Sequence, residues 1–390
     1  MKLPTPLLAL PLLLLPACSQ GGEEFNSSSE VKLADENFHW GWFAGYRRYL
    51  EYPVAQPASG VVLADFGTLL FKKDGTYAPF LPGTSFPEGN PYDLKSTGQL
   101  TIIEKNSGQV SRRYPGWLDL DGDLFFYLDG NNDNVPLDKE RLFLFAGVRE
   151  YTGTPVMSGV WRHYSLTLAF SPSSTTPHPD RIARAAFGSF EFDATGTIVN
   201  SSWEDSSGSK PTATGKAVPA AKGIVDLEVT QTGGIEPGKR IFHGGAGKFF
   251  ALLFDEVASD GHVGVMAMVR TTDTDLIKSK VVGKYALGNF AIFPEPTLAG
   301  TDVAIGDIEF ELGGGFKIAM NGFGNAKFSY AGTWDVGTKG EVVLQLDNAN
   351  SNQIWRGSMS EDYRDLVILD ATNENTAAKH LSVFLGVRKD

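Results

Sequence analysis

Three times along its 390 residues the chain returns to the same four landmarks in the same order. The interval is roughly 115 residues, far longer than a solenoid turn or a propeller blade and long enough for a domain with its own core. The first landmark is a glycine followed by a bulky aromatic: Gly45-Tyr46, with Gly41-Trp42-Phe43 as a competing match, then Gly159-Val160-Trp161 and Gly283-Lys284-Tyr285. The second is a strand over Gly67 to Lys72, Gly188 to Asp193 and Gly306 to Glu311, whose third and fifth residues are apolar while the second and sixth are polar. Such alternation marks an antiparallel strand with one face buried and the other in water. The third is another strand, Gly98 to Ile102, Lys222 to Val229 and Lys339 to Leu346. The fourth is a closing hairpin: an apolar arm ends at Asp129, Asp255 or Asp370, and its return arm ends in Val-Arg at Arg149, Arg270 or Arg388.

Each copy therefore reads as about six to eight short strands joined by Gly, Asp and Asn turns. A meander of that length leaves open edges unless it curls into a barrel. The expected fold class is all-β, with three tandem antiparallel meander or β-barrel repeats following a signal peptide and a flexible tether. The boundaries are 1–17 for the signal peptide, 18–37 for a lipid-bearing cysteine and tether, and 38–150, 151–275 and 276–390 for the repeats. The 44 glycines and 26 phenylalanines, against 6 methionines, fit many tight turns between aromatic-rich strands. Pro179 to Phe187 is the one stretch that reads as a turn or two of helix. The connections Glu150 to Met157 and Thr271 to Val282 are short, which predicts a semi-rigid row of domains with copy one nearest the anchor and copy three farthest out.

A Gly-x-Trp near the first strand, with an Arg closing the last, resembles the calycin superfamily of lipocalins, fatty-acid-binding proteins and avidins. Copy two carries Gly159, Trp161 and Arg270; copy three carries Gly283, Tyr285 and Arg388; copy one carries Arg149 with its aromatic unassigned. The resemblance implies that each Arg packs across the ring and closes one end of a barrel. A guanidinium over an aromatic face contributes about 1 kcal/mol or less when exposed, so these residues are structural closures rather than a ligand site.

The N-terminus starts with one cation, Lys2, and continues through an apolar run interrupted by prolines to Leu15-Pro16-Ala17-Cys18. That run is too short to span a bilayer and reads as a removable signal peptide. The tail Leu15 to Cys18 resembles the lipobox of bacterial lipoproteins, with Pro16 at a position normally held by a small residue. It implies acylation of Cys18 and cleavage before it. Cys18 is the only cysteine, so no disulfide partner explains it. Several acyl chains make attachment effectively permanent. Ser19, where an Asp would imply inner-membrane retention, favours the outer membrane, on its periplasmic or surface face. Ser19 to Glu30 is small and polar, a tether.

Candidate chemistry is sparse. Asp129, Asn131, Asp133 and Glu140 occupy positions one, three, five and twelve of a stretch with EF-hand-like spacing, a candidate structural calcium site. Asn134 replaces the usual glycine, Pro136 is foreign to the pattern, and a hairpin turn rich in Asn and Asp explains the same residues. The six histidines lie at no zinc spacing. His243 before Gly244-Gly245-Ala246-Gly247 lacks the context of a phosphate loop and reads as a flexible turn. No Gly-x-Ser-x-Gly elbow is present. No cofactor is implied beyond that calcium, and enzyme activity is left without a supporting motif. The net charge of -12 repels phosphate backbones, which excludes nucleic acid as a partner.

The function expected from sequence is a membrane-anchored extracytoplasmic module that binds a small apolar ligand or an envelope or surface protein. The alternatives are a spacer or scaffold built of solid barrels and, third, an enzyme on a calycin-like barrel. Phe71, Phe145, Phe192, Phe310 and Phe384 fall on the inward side of their strands, and whether they fill the barrels separates these readings.

Overall fold

The computed structural model of the chain describes residues 33, 36–46, 62–80, 89–106, 108–129, 141–151, 157–170, 181–205, 208–219, 223–233, 238–257, 262–271, 274–293, 300–322, 326–347, 353–371 and 381–389. Unit one contains β1 (Glu36–Tyr46), β2 (Val62–Phe71), β3 (Thr76–Phe80), β4 (Asn90–Leu94), β5 (Gln99–Asn106), β6 (Gln109–Leu118), β7 (Leu124–Asp129) and β8 (Arg141–Arg149). Unit two contains β9 (Gly159–Phe170), β10 (Arg181–Phe192), β11 (Ile198–Asp205), β12 (Thr212–Pro219), β13 (Ile224–Thr232), β14 (Gly238–Ala246), β15 (Phe250–Val257) and β16 (His262–Arg270). A single helical turn, α1 (Lys278–Val281), leads into unit three. That unit contains β17 (Gly283–Phe293), β18 (Gly300–Phe310), β19 (Gly315–Gly322), β20 (Lys327–Val336), β21 (Glu341–Leu346), β22 (Ile354–Met359), β23 (Asp365–Asp370) and β24 (Leu381–Lys389).

Every strand pairs antiparallel with its chain neighbours, and the first pairs with the last, so units one and three are closed eight-stranded barrels. Unit two curls in the same order. Its β11 and β12 meet through one bridge, Thr197 with Lys216, rather than a continuous ladder. The landmark strands are the second, fifth, seventh and eighth of each unit. In an up-and-down barrel, alternate connections share an end. At one end the turns are tight, and Gly75, Gly196 and Gly314 take φ of 84°, 80° and 85° there, a region closed to most side chains.

The three units form a ring, not a row. Strands one and two of each unit pack against late strands of the next: β1 and β2 against β14, β15 and β16; β9 and β10 against β23 and β24; β17 and β18 against β7 and β8. The outward faces of these strands make a fourth core on the ring axis. Leu124, Phe126 and Leu144 from unit one meet Leu166, Phe250 and Val265 from unit two, and Phe290, Val367 and Leu385 from unit three. Equivalent residues recur at the seams. Phe66 stacks on His243 at 6.2 Å, and Phe187 lies under the Arg356 guanidinium at 5.2 Å. The short connections do not string the domains out, because apolar burial on both faces of each closing hairpin outweighs any tendency to extend.

Two local expectations are also corrected. The described part of Pro179 to Phe187 is strand: β10 begins at Arg181 and pairs with β9 from Arg181↔Phe170 to Phe192↔Gly159. Ala and Arg favour helix, but a ladder partner along the whole segment overrides that preference. His243 to Ala246 is not a turn but the end of β14, paired with both β13 and β15. The glycines serve packing: a Cβ on Gly244 would collide with the Leu252 carbonyl.

Candidate functional site

Among the described residues, the polar chemistry gathers at the barrel ends and on the ring axis. At the tight-turn end, Arg388 of β24 lies opposite Tyr285 of β17, its guanidinium 5.6 Å from the ring centroid. Arg388 donates to the carbonyls of Lys280 at 2.8 Å and Val282 at 3.2 Å and to the Tyr285 hydroxyl at 3.2 Å. In unit one, Arg149 sits 5.2 Å over Phe38 and donates to the carbonyls of Gly122, Asp119 and Leu120. The copy-one aromatic is therefore Phe38, eight residues before Tyr46, and no glycine precedes it in the matching place. Unit two differs. Arg270 is the register partner of Trp161, but its guanidinium lies 3.9 Å from Glu361 of unit three, and the Trp161 indole donates to the Ser158 carbonyl at 3.3 Å.

The chain preceding each unit also plugs this end. Leu33, Met157, and Leu276 with Val281 are buried in the interiors of units one, two and three respectively. The opposite ends of barrels one and two carry an ion pair that sequence reading missed. Arg112 faces Asp129 at 3.9 Å, and the equivalent Arg240 is hydrogen-bonded to Asp255, whose side chain is 0% exposed. The Asp at the end of the apolar arm was visible as a landmark. Its Arg partner emerges only when the register aligns β6 with β14.

Between these closures the interiors are filled. Phe38, Phe71 and Phe125 pack edge to face at 5.1 to 5.5 Å in barrel one, and Phe145 stacks on Tyr127 at 4.6 Å. The Tyr114 hydroxyl donates to Glu104 at 2.5 Å, and burial pushes the Tyr77 phenol up to about 12. In barrel two, His163 lies 4.4 Å from Phe190 and 4.7 Å from Trp203, and burial pulls its imidazole down to about 3, so it is neutral. Phe192 is buried in the same interior; Phe310 with Trp334, and Trp355 with Phe384, fill barrel three.

The three tight-turn ends converge on the ring axis. Arg364 of unit three bridges Asp119 at 3.1 Å and Asp121 at 2.9 Å in unit one. Asp123 of unit one accepts from the backbone N–H groups of Phe249 and Phe250 of unit two at 2.5 and 3.3 Å. Arg162 of unit two donates to the carbonyls of Lys339 and Thr338 of unit three at 2.7 and 2.5 Å. Each unit thus holds the other two.

Cys18, Asn131, Asp133 and Glu140 lie outside the described residues. Asp129 ends β7 beside Arg112, and no cluster of His, Cys, Asp or Glu suited to a metal ion occurs among the described residues. None of the described helices is long and apolar enough to cross a membrane.

The fold defines an all-β protein of three eight-stranded antiparallel units. No protein-family model matches the sequence, and no curated protein does. Among solved structures, the chain is similar to a double mutant of transferrin binding protein B (TbpB) from Haemophilus parasuis Hp5, at 9% identity and a TM-score of 0.31, over 92% of this chain and 76% of that one. It is also similar to intact Ap-TbpB, with N and C lobes, at 10% identity and a TM-score of 0.27, over 92% and 77% of the two chains. For isotype 1 TbpB from serogroup B Neisseria meningitidis, the values are 10% and 0.26, over 93% and 78%. Each is a likeness in strand-rich architecture at an identity too low to carry a function across.

Proposed function

We propose that this protein is an extracytoplasmic binding module, tethered to the outer membrane by lipid on Cys18, that presents the end of its barrel ring farthest from the tether to an envelope or surface protein. The observation that carries this reading is the filling of all three interiors by aromatic side chains, which leaves recognition to the outer surface. The N-terminal chain enters at the tight-turn end, where Leu33 is buried and its N–H lies 3.2 Å from the Tyr92 hydroxyl. A tether from that point leaves the opposite end facing outward. The scaffold reading has one observation in its favour: an axial core shared by all three units joins them.

Replacing Cys18 with Ala is expected to move the protein from the membrane fraction to the soluble fraction; retention in the membrane would remove the anchor. The presenting end is tested by cross-linking to a partner captured from the source envelope. Lys105, Lys239 and Lys327, near the far end, should carry the cross-links, while Lys72, Lys95 and Lys339, at the tight-turn end, should not. The reverse pattern would sink the assignment, and a small molecule retained in native mass spectrometry of the mature chain would restore the ligand-carrier reading.

A further inference from the structure

Strand seven of each unit begins on the ring axis, where units one and two place Leu124 and Phe250 in the central core. Register equates these two with Asp365 of unit three, since Leu124 pairs with Val148 just before Arg149, and Asp365 with Val387 just before Arg388. Asp365 is 0% exposed, no side chain hydrogen-bonds its carboxylate oxygens, and the one donor that bears on them is the backbone N–H of Asp123. An isolated carboxylate cannot be held in such a place at modest cost; a neutral carboxylic acid can.

We propose that Asp365 is a proton-operated latch at the junction of the three barrels, closed when its carboxyl is protonated and loosened when the proton leaves to solvent. The groups facing it come from units one and three, and unit two reaches them through Asp123. The turn before β7 supplies Asp119 and Asp123, and the turn before β23 supplies Asp362. Arg364 is committed to Asp119 and Asp121, and Arg149 to backbone carbonyls. Unit two supplies the N–H groups of Phe249 and Phe250, both directed at Asp123. The charges that act most strongly on Asp365 are all carboxylates, and its ionisation would add a further negative charge to the group. Asp119 and Asp123 both hold contacts that cross between units, so repulsion there acts on the joints and not on a barrel interior.

Burial, and then the nearby Asp119, Asp123 and Asp362, hold the Asp365 carboxyl well above the ordinary carboxylate range; burial also raises Asp119 and Asp123. The docked form therefore keeps a proton that an undocked, solvated Asp releases near pH 4. Its contribution to docking is fully present below about pH 4 and is lost as pH rises toward the raised value. The leucine and phenylalanine of the sister units carry no such dependence.

The test uses the full mature chain. Between pH 5 and 9 the wild type should take up on docking about one proton per molecule more than Asp365→Asn does, its thermal midpoint should fall more steeply with rising pH, and its radius of gyration should grow before the barrels unfold. Asp365→Asn should flatten both responses, and Asp365→Leu, which copies unit one, should do the same. An Asn variant with the wild-type pH slope would overturn the latch. So would barrels that unfold with no expanded state before them. Should neither variant fold, titration of the Asp365 carboxyl by 13C NMR in the wild type decides: a raised midpoint supports the latch, and an ordinary one ends it.

Discussion

Truncating Phe126 to Ala is expected to destabilise the molecule by about 3–5 kcal/mol, the range for a buried phenylalanine that leaves a cavity. The loss should appear as separation of the units and not as damage to one barrel. Phe126 is fully buried, yet it faces away from the interior of its own barrel, with Leu124 and Leu128 in the axial core. Its ring lies over Gly288 of β17 in unit three, where an added Cβ would sit 2.6 Å from Phe126 Cδ2. Gly288→Leu should therefore act as a wedge against Phe126. The double variant, with Phe126→Ala making room for the new side chain, should recover part of both losses, because residues in contact couple by about 0.5–3 kcal/mol. Denaturant unfolding followed with small-angle scattering separates the outcomes. Purely additive losses would mean that the two positions do not meet.

The second large effect is expected in barrel two. Arg240→Met should cost about 3–5 kcal/mol, since it removes the cationic partner of a carboxylate that has no access to water. The Arg240 side chain is 12% exposed and that of Asp255 0%, so solvent cannot replace the lost contact. The double change Arg240→Met and Asp255→Leu should return most of the stability, because an apolar pair of similar volume needs no compensation. The same substitution at Arg112 should cost less. Its side chain is 38% exposed, and the pair with Asp129 is longer, at 3.9 Å. Urea titration of the single and double variants by tryptophan fluorescence checks both, and equal costs at Arg112 and Arg240 would contradict the argument from burial.

The repeat, the strand class and four of the eight strands per unit were legible in sequence because each carries alternation or a glycine in a fixed place. Strands three, four and six of unit one were not. The strand Asn90 to Leu94 is five residues long, and the residues of Gln109 to Tyr114 are exposed or half-exposed, so neither leaves an apolar imprint. The ring was missed although its signal was present. Leu124-Phe125-Phe126-Tyr127-Leu128 and Leu366-Val367-Ile368-Leu369 do not alternate, and an antiparallel strand without alternation is buried on both faces. One face of each supplies its barrel and the other the axis. Phe66, Phe187 and Ile305, which precede the landmark glycines Gly67, Gly188 and Gly306, carry the same message at the seams. Asp365 was included in no apolar run, and only the register shows that it stands where its sisters are Leu and Phe.

The contacts between units are head to tail: the early strands of one meet the late strands of the next, and the third returns to the first. A repeating head-to-tail interface generates either a closed ring or an endless filament, depending on whether the rotation per step divides a full turn. Here three steps complete the turn, and the early strands of the third unit meet the late strands of the first. Covalent linkage of the three copies makes that count independent of concentration. It turns a surface that, on a single barrel, would be an oligomerisation site into an internal seam of the ring.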